Sequence, residues 1–324
     1  MTRFNDAWWL NFDKPSDGYR DFTGFVHRLP IRMESADLVV YGTVDAKTLV
    51  ADAFEDEFYT PIIVGEENHA VISISFRNIS DSDCGGKYYE IVSAVFVSPK
   101  DEKPMNVPFT TPFSLLEVAG LPRTHTFALI LILGDHPDNP GGAKKGIICG
   151  RDVFGLPKHP VPGNLQFNYA IKDEEKVEIE FSGSHNDKNM ISMRCKLPSH
   201  EENFSSVPMD VPRSSNNSII GSPCYGGVHK GFHGAFQSNI ESAVKCSMSI
   251  SLWNTDTDSF ELGDDEHFAS QLKRWNFKPL IKAHAPDFKM CLFKPTGWID
   301  GSQAANAMKE YEAKLNEGTK GGEL

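Results

Sequence analysis

The chain of 324 residues carries 44 acidic against 32 basic side chains, a formal net charge of −12. That balance excludes a surface built to hold nucleic acid or an anionic membrane. With 40% hydrophobic and 23% charged residues, global disorder is excluded as well, and the length suffices for one large β domain or two domains.

In chain order, residues 37–43 are β-branched and apolar and read as a strand. Residues 44–54 place Ala46, Leu49, Val50 and Ala53 at helical spacing, which predicts a helix after Thr43. Residues 71–76 alternate apolar side chains with Ser73 and Ser75, the pattern of a half-buried strand, and 88–97 is an aromatic, β-branched strand. Residues 127–133 are apolar on both alternating faces, as in a strand covered from both sides. A Gly-rich connection, 141–146, leads to a short strand, 146–149. Strands follow at 165–171, 176–181 and 190–195, with 177–181 and 190–196 paired as a hairpin across 183–189. The Ser-, Asn- and Pro-rich stretch 199–223 reads as a long surface loop, and 225–236, crowded with Gly and His, as a loop over the mouth of the fold. Residues 245–252 and 288–293 predict two further strands, and 302–315 a peripheral helix capped by Ser302. The expected organisation is one β-rich domain over 1–324, closed or nearly closed, with an elaborated C-terminal third.

Six cysteines lie scattered with no C-x-x-C pair, so free thiols in a reducing compartment are expected rather than disulfides or zinc. Residues 1–20 lack the charge pattern of a signal peptide, and no apolar run approaches the length of a membrane span. A soluble cytoplasmic protein is expected. The Trp8-Trp9 pair suits a core or oligomer anchor, and a homo-oligomer is allowed. His229 and His233 have the spacing of paired metal ligands on a helix, but the surrounding glycines oppose that helix. His125 and His136 show no ligand spacing, and no metal site is expected. There is no G-x-S-x-G elbow and no phosphate-binding glycine loop.

The most specific segment is Gly150-Arg151-Asp152-Val153-Phe154-Gly155-Leu156-Pro157-Lys158-His159-Pro160. A lysine between two prolines has its backbone restricted on both sides. The pattern G-R-[DE]-x4-P-K resembles the active-site segment of the acetoacetate decarboxylase superfamily. Val40-Tyr41-Gly42-Thr43 and Gly85-Gly86-Lys87-Tyr88-Tyr89-Glu90 are similar to two further segments of that family, so the resemblance runs over roughly residues 37–196. It implies a mainly β fold, a closed or double β-barrel with few peripheral helices. It further implies that Lys158 forms an imine with a ketone substrate, that Glu90 faces the lysine, and that no cofactor takes part. Two departures mark a divergent member: His159 stands where well-known members have a second lysine, and Ser75 falls near the place of a second glutamate.

Imine formation needs a neutral amine, and burial in apolar surroundings lowers a lysine's pKa by up to ~3–5 units. Phe154, Leu156 and the two prolines supply such surroundings, which predicts an enclosed, mainly apolar pocket with Glu90 on its wall. Glu90 is either the proton donor and acceptor of the reaction or a solvated strand residue. Arg151 either orients a substrate carboxylate or holds a structural ion pair with Asp152 or a neighbour. Arg151, His159, Phe154 and Leu156 make up the expected substrate-binding set, with Arg28 and Arg32 as weaker carboxylate clamps. The expected activity is Schiff-base decarboxylation of a β-keto acid metabolite, larger than acetoacetate. The alternatives are an imine-dependent aldolase, dehydratase or cyclase, or a non-covalent cavity for a polyketide- or terpenoid-like compound of secondary metabolism.

Overall fold

The computed structural model describes residues 7–10, 19–20, 23–54, 59–65, 68–100, 105–121, 124–160, 165–173, 176–185, 188–197, 205–221, 238–264 and 268–293. In chain order the strands are β1 (Tyr19–Arg20), β2 (Val26–His27), β3 (Ile31–Asp45), β4 (Tyr59–Pro61), β5 (Ile63–Val64), β6 (His69–Ser82), β7 (Tyr88–Pro99), β8 (Asn106–Val107) and β9 (His125–Asp135). They continue with β10 (Lys158–Pro160), β11 (Leu165–Asp173), β12 (Lys176–His185), β13 (Lys188–Leu197), β14 (Ser205–Gly221), β15 (Ser238–Leu252), β16 (Ser259–Leu262) and β17 (Lys278–Leu292). The helices are α1 (Ala7–Leu10), α2 (Ala46–Leu49), α3 (Ser114–Gly120), α4 (Gly142–Phe154) and α5 (Phe268–Arg274), and a π-helical turn, Val50–Phe54, continues α2.

The large sheet runs β4-β7-β9-β14-β15-β17-β3-β6-β5-β8, with β10 beside β9 and a further pairing of β6 with β7. A second sheet, β11-β12-β13-β16, is antiparallel throughout. The chain is mainly β, as expected. The β6–β7 pairing brings the run β7-β9-β14-β15-β17-β3-β6 back on itself, and the β9–β14 seam is its thinnest join. At the β9–β14 seam only Ile219↔Thr126 and Ile220↔Phe127 are in register among the described residues.

Two apolar clusters cover the two faces of the large sheet. On β9, Leu131 and Leu133 pack with Ile31, Met33, Tyr88 and α4, while Ile130 and Ile132 pack with Phe76 and with Phe181 of the small sheet. Successive strand residues point to opposite faces, so a strand buried on both must be apolar at every position. That accounts for residues 127–133. The predicted hairpin is also present, with Phe181 opposite Met193 between β12 and β13. Trp9 is fully buried and Trp8 nearly so, in a small cluster with Ala243, Cys291 and Phe293.

The stretch 141–149 departs from expectation: the loop and short strand are replaced by α4. Asp135, at the end of β9, starts this helix by accepting the backbone N–H groups of Gly141 (2.8 Å) and Ala143 (2.9 Å). Ile147, Val153 and Phe154 then pack against the sheet. The helix ends at Gly155, whose φ of 62° lies in the left-handed region that a residue without Cβ adopts at no steric cost. The helix expected at 44–54 begins at Ala46, because β3 extends through Asp45, whose carboxylate caps α2 by accepting Thr48 N–H at 2.6 Å.

Much of the expected 199–223 loop is strand: β14 pairs with β15 through two register shifts, which accommodate its turn-like composition. The remainder of that stretch, residues 225–236 with His229 and His233, and the helix at 302–315 lie outside the described residues. No described helix is long and apolar enough to cross a membrane. Cys84, Cys149, Cys195, Cys246 and Cys291 are free thiols.

Candidate active site

Strand register lays three charged residues in a row across neighbouring strands. Asp37 on β3 is opposite Arg77 on β6, and Arg77 is opposite Glu90 on β7. Residues opposite one another in antiparallel strands share a face, and here the shared face is the one covered by α4. Lys158 reaches the same place from β10, where it is in register with Leu131 of β9. Its amine lies 2.8 Å from Glu90 Oε1. Lys158 is 5% exposed and Glu90 1%, so the pair is buried. Glu90 is not the solvated strand residue that the sequence left open.

Several local features hold the lysine. Pro157 O accepts from Leu131 N–H at 3.0 Å, docking β10 onto β9. Arg151 Nε donates to the carbonyl oxygen of Lys158 at 2.5 Å. Arg151 thus braces the lysine backbone, while the side chain of Asp152 lies outside what the structure describes. Gly150 lies directly under the side chain: a Cβ there would sit 2.3 Å from Lys158 Cδ and 2.6 Å from Cε. Only a residue lacking Cβ lets the α4 backbone come so close, which gives the glycine of the motif a steric reason. The amine also lies 5.8 Å from the centre of the Tyr88 ring, within cation–π range.

The surroundings of the amine are more polar than expected. Arg77 bridges the two carboxylates, its Nε 3.0 Å from Asp37 Oδ2 and an Nη 3.7 Å from Glu90 Oε2. Ser35 Oγ donates to Asp37 Oδ1 at 2.5 Å. Burial pushes the Asp37 carboxyl above its ordinary range, against the opposing pull of Arg77. Burial likewise holds Tyr88 well above the usual phenol range, keeping its hydroxyl neutral. The enclosed pocket expected to be mainly apolar is therefore a buried charge network with an apolar rim.

Phe154 and Leu156 are buried in the apolar cluster behind that network, at 1% and 4% exposure. His159 is partly buried, and strand alternation puts it on the opposite face from Lys158, in register with Ile132. Arg32 is engaged with Asp83 at 2.9 Å, and Arg28 is exposed. His125 stacks edge-on against Tyr59, and His136 is beside Asp138. Among the described residues no cluster of three or more His, Cys, Asp or Glu is arranged to hold a metal ion.

Asp37 and Arg77 were not singled out from sequence. The available signal was the alternation over residues 71–76, with Ser73 and Ser75 on one face of a half-buried strand, a face that Arg77 continues. Ser75 is in fact buried, so the polar face of β6 looks into the protein. A cleft of about 570 Å3, lined in part by Ser82, Cys84, Lys87, Asp138 and Lys145, lies beside this network, with Cys84 common to its wall and to the surroundings of Lys158.

Among solved structures, the chain is similar to an enduracididine biosynthesis enzyme, MppR, complexed with pyruvate, at TM-score 0.50 and 9% identity over 85% of this chain and 93% of that one. That likeness is one of fold. An acetoacetate decarboxylase from Legionella pneumophila aligns at TM-score 0.47 and 13% identity over 91% and 96% of the two chains. An acetoacetate decarboxylase-like enzyme from Sphingomonas wittichii aligns at TM-score 0.47 and 10% identity over 82% and 91%. No protein-family model matches the sequence, and no curated protein matches it in sequence.

Proposed function

We propose that this acetoacetate decarboxylase-like chain is a Schiff-base enzyme in which Lys158 is the nucleophile and Glu90 its proton partner, acting on a small keto acid. One observation carries the reading: the buried Lys158 amine is 2.8 Å from Glu90 Oε1, with its stem seated against Gly150. That is hydrogen-bond reach for proton transfer.

The amine, having passed a proton to Glu90, attacks the substrate ketone. Glu90 returns the proton to the carbinolamine oxygen, and water leaves to form the iminium. The carbon–carboxylate bond then breaks. CO2 departs, the bonding pair becomes the C=C bond of an enamine, and the C=N π pair moves onto the nitrogen. Protonation of the enamine carbon, followed by hydrolysis, releases the ketone and restores Lys158. The iminium is the electron sink in this scheme, so no cofactor is assigned. Tyr88 borders the amine as a neutral ring, and Arg77 offsets the charge of Glu90 and Asp37. Binding of pyruvate by the structurally similar MppR supports a keto acid as the ligand class.

A second reading keeps the imine and ends in aldol addition, dehydration or cyclisation. It is favoured by Ser75, which is buried near the place of a second carboxylate. In both readings Lys158 is trapped covalently. Incubation with pyruvate or acetoacetate and sodium borohydride should add the reduced substrate to the peptide containing Lys158. Lys158→Ala should give no adduct and no turnover while remaining folded by circular dichroism at the assay temperature. Full turnover by that folded variant would overturn the imine and leave non-covalent binding in its place. Release of CO2 from acetoacetate separates the first reading from the second.

A further inference from the structure

The turn between β6 and β7 carries Cys84 against α4, which carries Cys149. Asn139, just ahead of α4, clamps this turn by donating to the carbonyl oxygens of Gly85 and Lys87, each at 2.8 Å. The two thiols are in hydrogen-bond contact, and Cys84 Sγ is also 3.0 Å from Ser82 Oγ. Cys84 is half-buried and lines the 570 Å3 cleft, whereas Cys149 is buried behind it. Small solutes therefore meet Cys84 first. Cys149 directly precedes Gly150, the residue on which the Lys158 stem rests.

We propose that Cys84 and Cys149 form a peroxide-reactive thiol pair, Cys84 being the site of attack and Cys149 the resolving thiol. The proposal stands on this geometry and does not depend on imine chemistry at Lys158. The Cys84 thiolate attacks one oxygen of a hydroperoxide and the O–O bond breaks. With hydrogen peroxide, this leaves a sulfenic acid on Cys84 and releases hydroxide, which takes up the thiol proton to become water. Cys149, losing its proton, attacks the Cys84 sulfur and displaces the hydroxyl as a second water. Two thiols are oxidised to one disulfide while one peroxide is reduced to two waters.

The electrostatics favour the attacking thiol. The Cys149 hydrogen bond, with help from the Lys158 cation and Ser82, lowers the Cys84 thiol to about 6, against burial and the opposing charge of Glu90. Tyr88, the other titratable group facing it, stays neutral. A disulfide here would tie the β6–β7 turn to the helix that cradles the lysine, so the redox state would be felt where Lys158 is held.

The test is peptide-resolved. The protein is treated with hydrogen peroxide at pH 7, free thiols are blocked with iodoacetamide, and it is digested without reductant. A Cys84–Cys149 linked peptide is expected, cleaved by dithiothreitol and absent from Cys84→Ser. In Cys149→Ser, dimedone should capture the sulfenic acid on Cys84. In untreated wild type, Cys84 alkylation should reach half its plateau rate near pH 6, where a free thiol does so near about 8.5. Both thiols alkylating after peroxide as before it would overturn the proposal, as would a disulfide from Cys84 to any other cysteine.

Discussion

Arg77 is the residue on which the buried charge network turns. It contacts Asp37 at 3.0 Å and Glu90 at 3.7 Å, and its side chain is 13% exposed. Without it two carboxylates would share one buried region, and Glu90 already pushes Asp37 upward. Removing one partner of a buried ion pair costs about 3–5 kcal/mol because the other charge is left uncompensated. Arg77→Met should therefore destabilise the protein by about that amount in urea unfolding. Adding Asp37→Asn to Arg77→Met should recover part of the loss, since the orphaned charge is then gone. A double variant no more stable than Arg77→Met would mean that Asp37 and Arg77 are not energetically coupled.

Among the elements, α4 and β10 act as one device. The helix contributes Gly150 beneath the lysine stem and Arg151 against the lysine carbonyl, and β10 fixes the backbone onto β9. Gly150→Ala should improve intrinsic helix propensity by roughly 0.5–1 kcal/mol. It would also drive a methyl group to 2.3 Å from Lys158 Cδ, which forces the side chain aside. A reacting group displaced by about 1 Å loses on the order of 10²-fold in rate. The expected outcome is a folded variant whose borohydride trapping at Lys158 is slowed by about that factor. Trapping at the wild-type rate would show that the close approach of helix and lysine has no bearing on the amine.

For the whole molecule, the two-sided core of the large sheet determines the response to acid. His284 on β17 is 4% exposed, and burial lowers its pKa from 6.5 to about 4. Between those values the unfolded chain takes up a proton that the folded chain refuses. The contribution of neutral His284 is thus present above pH 6.5 and is lost as pH falls toward 4. The full loss is about 3 kcal/mol. Replacing the residue with Gln removes the titration, so the stability difference between wild type and His284→Gln should shift against wild type as pH falls from 6.5 to 4. A difference independent of pH in urea titrations over that range would show that His284 is not held neutral by the fold.

The sequence by itself determined what depends on near neighbours in the chain. Alternating and doubly apolar runs identified the strands at 71–76, 88–97 and 127–133, because strand periodicity is written locally. The segment around Lys158 was legible because its prolines and Gly150 act within a few residues of the lysine, and the spacing to Glu90 came with the resemblance. Tertiary structure decided the rest. A glycine-bearing stretch became α4 because Asp135 caps it and because Gly146 and Gly150 must admit Tyr88 and Lys158. His159 left the site once β10 paired with β9, since one step along a strand reverses the face. Asp37 and Arg77 entered it through cross-strand register. The local pattern of β6 is the same whether its polar face meets water or a buried carboxylate, and only the strands and helix that cover it make the difference.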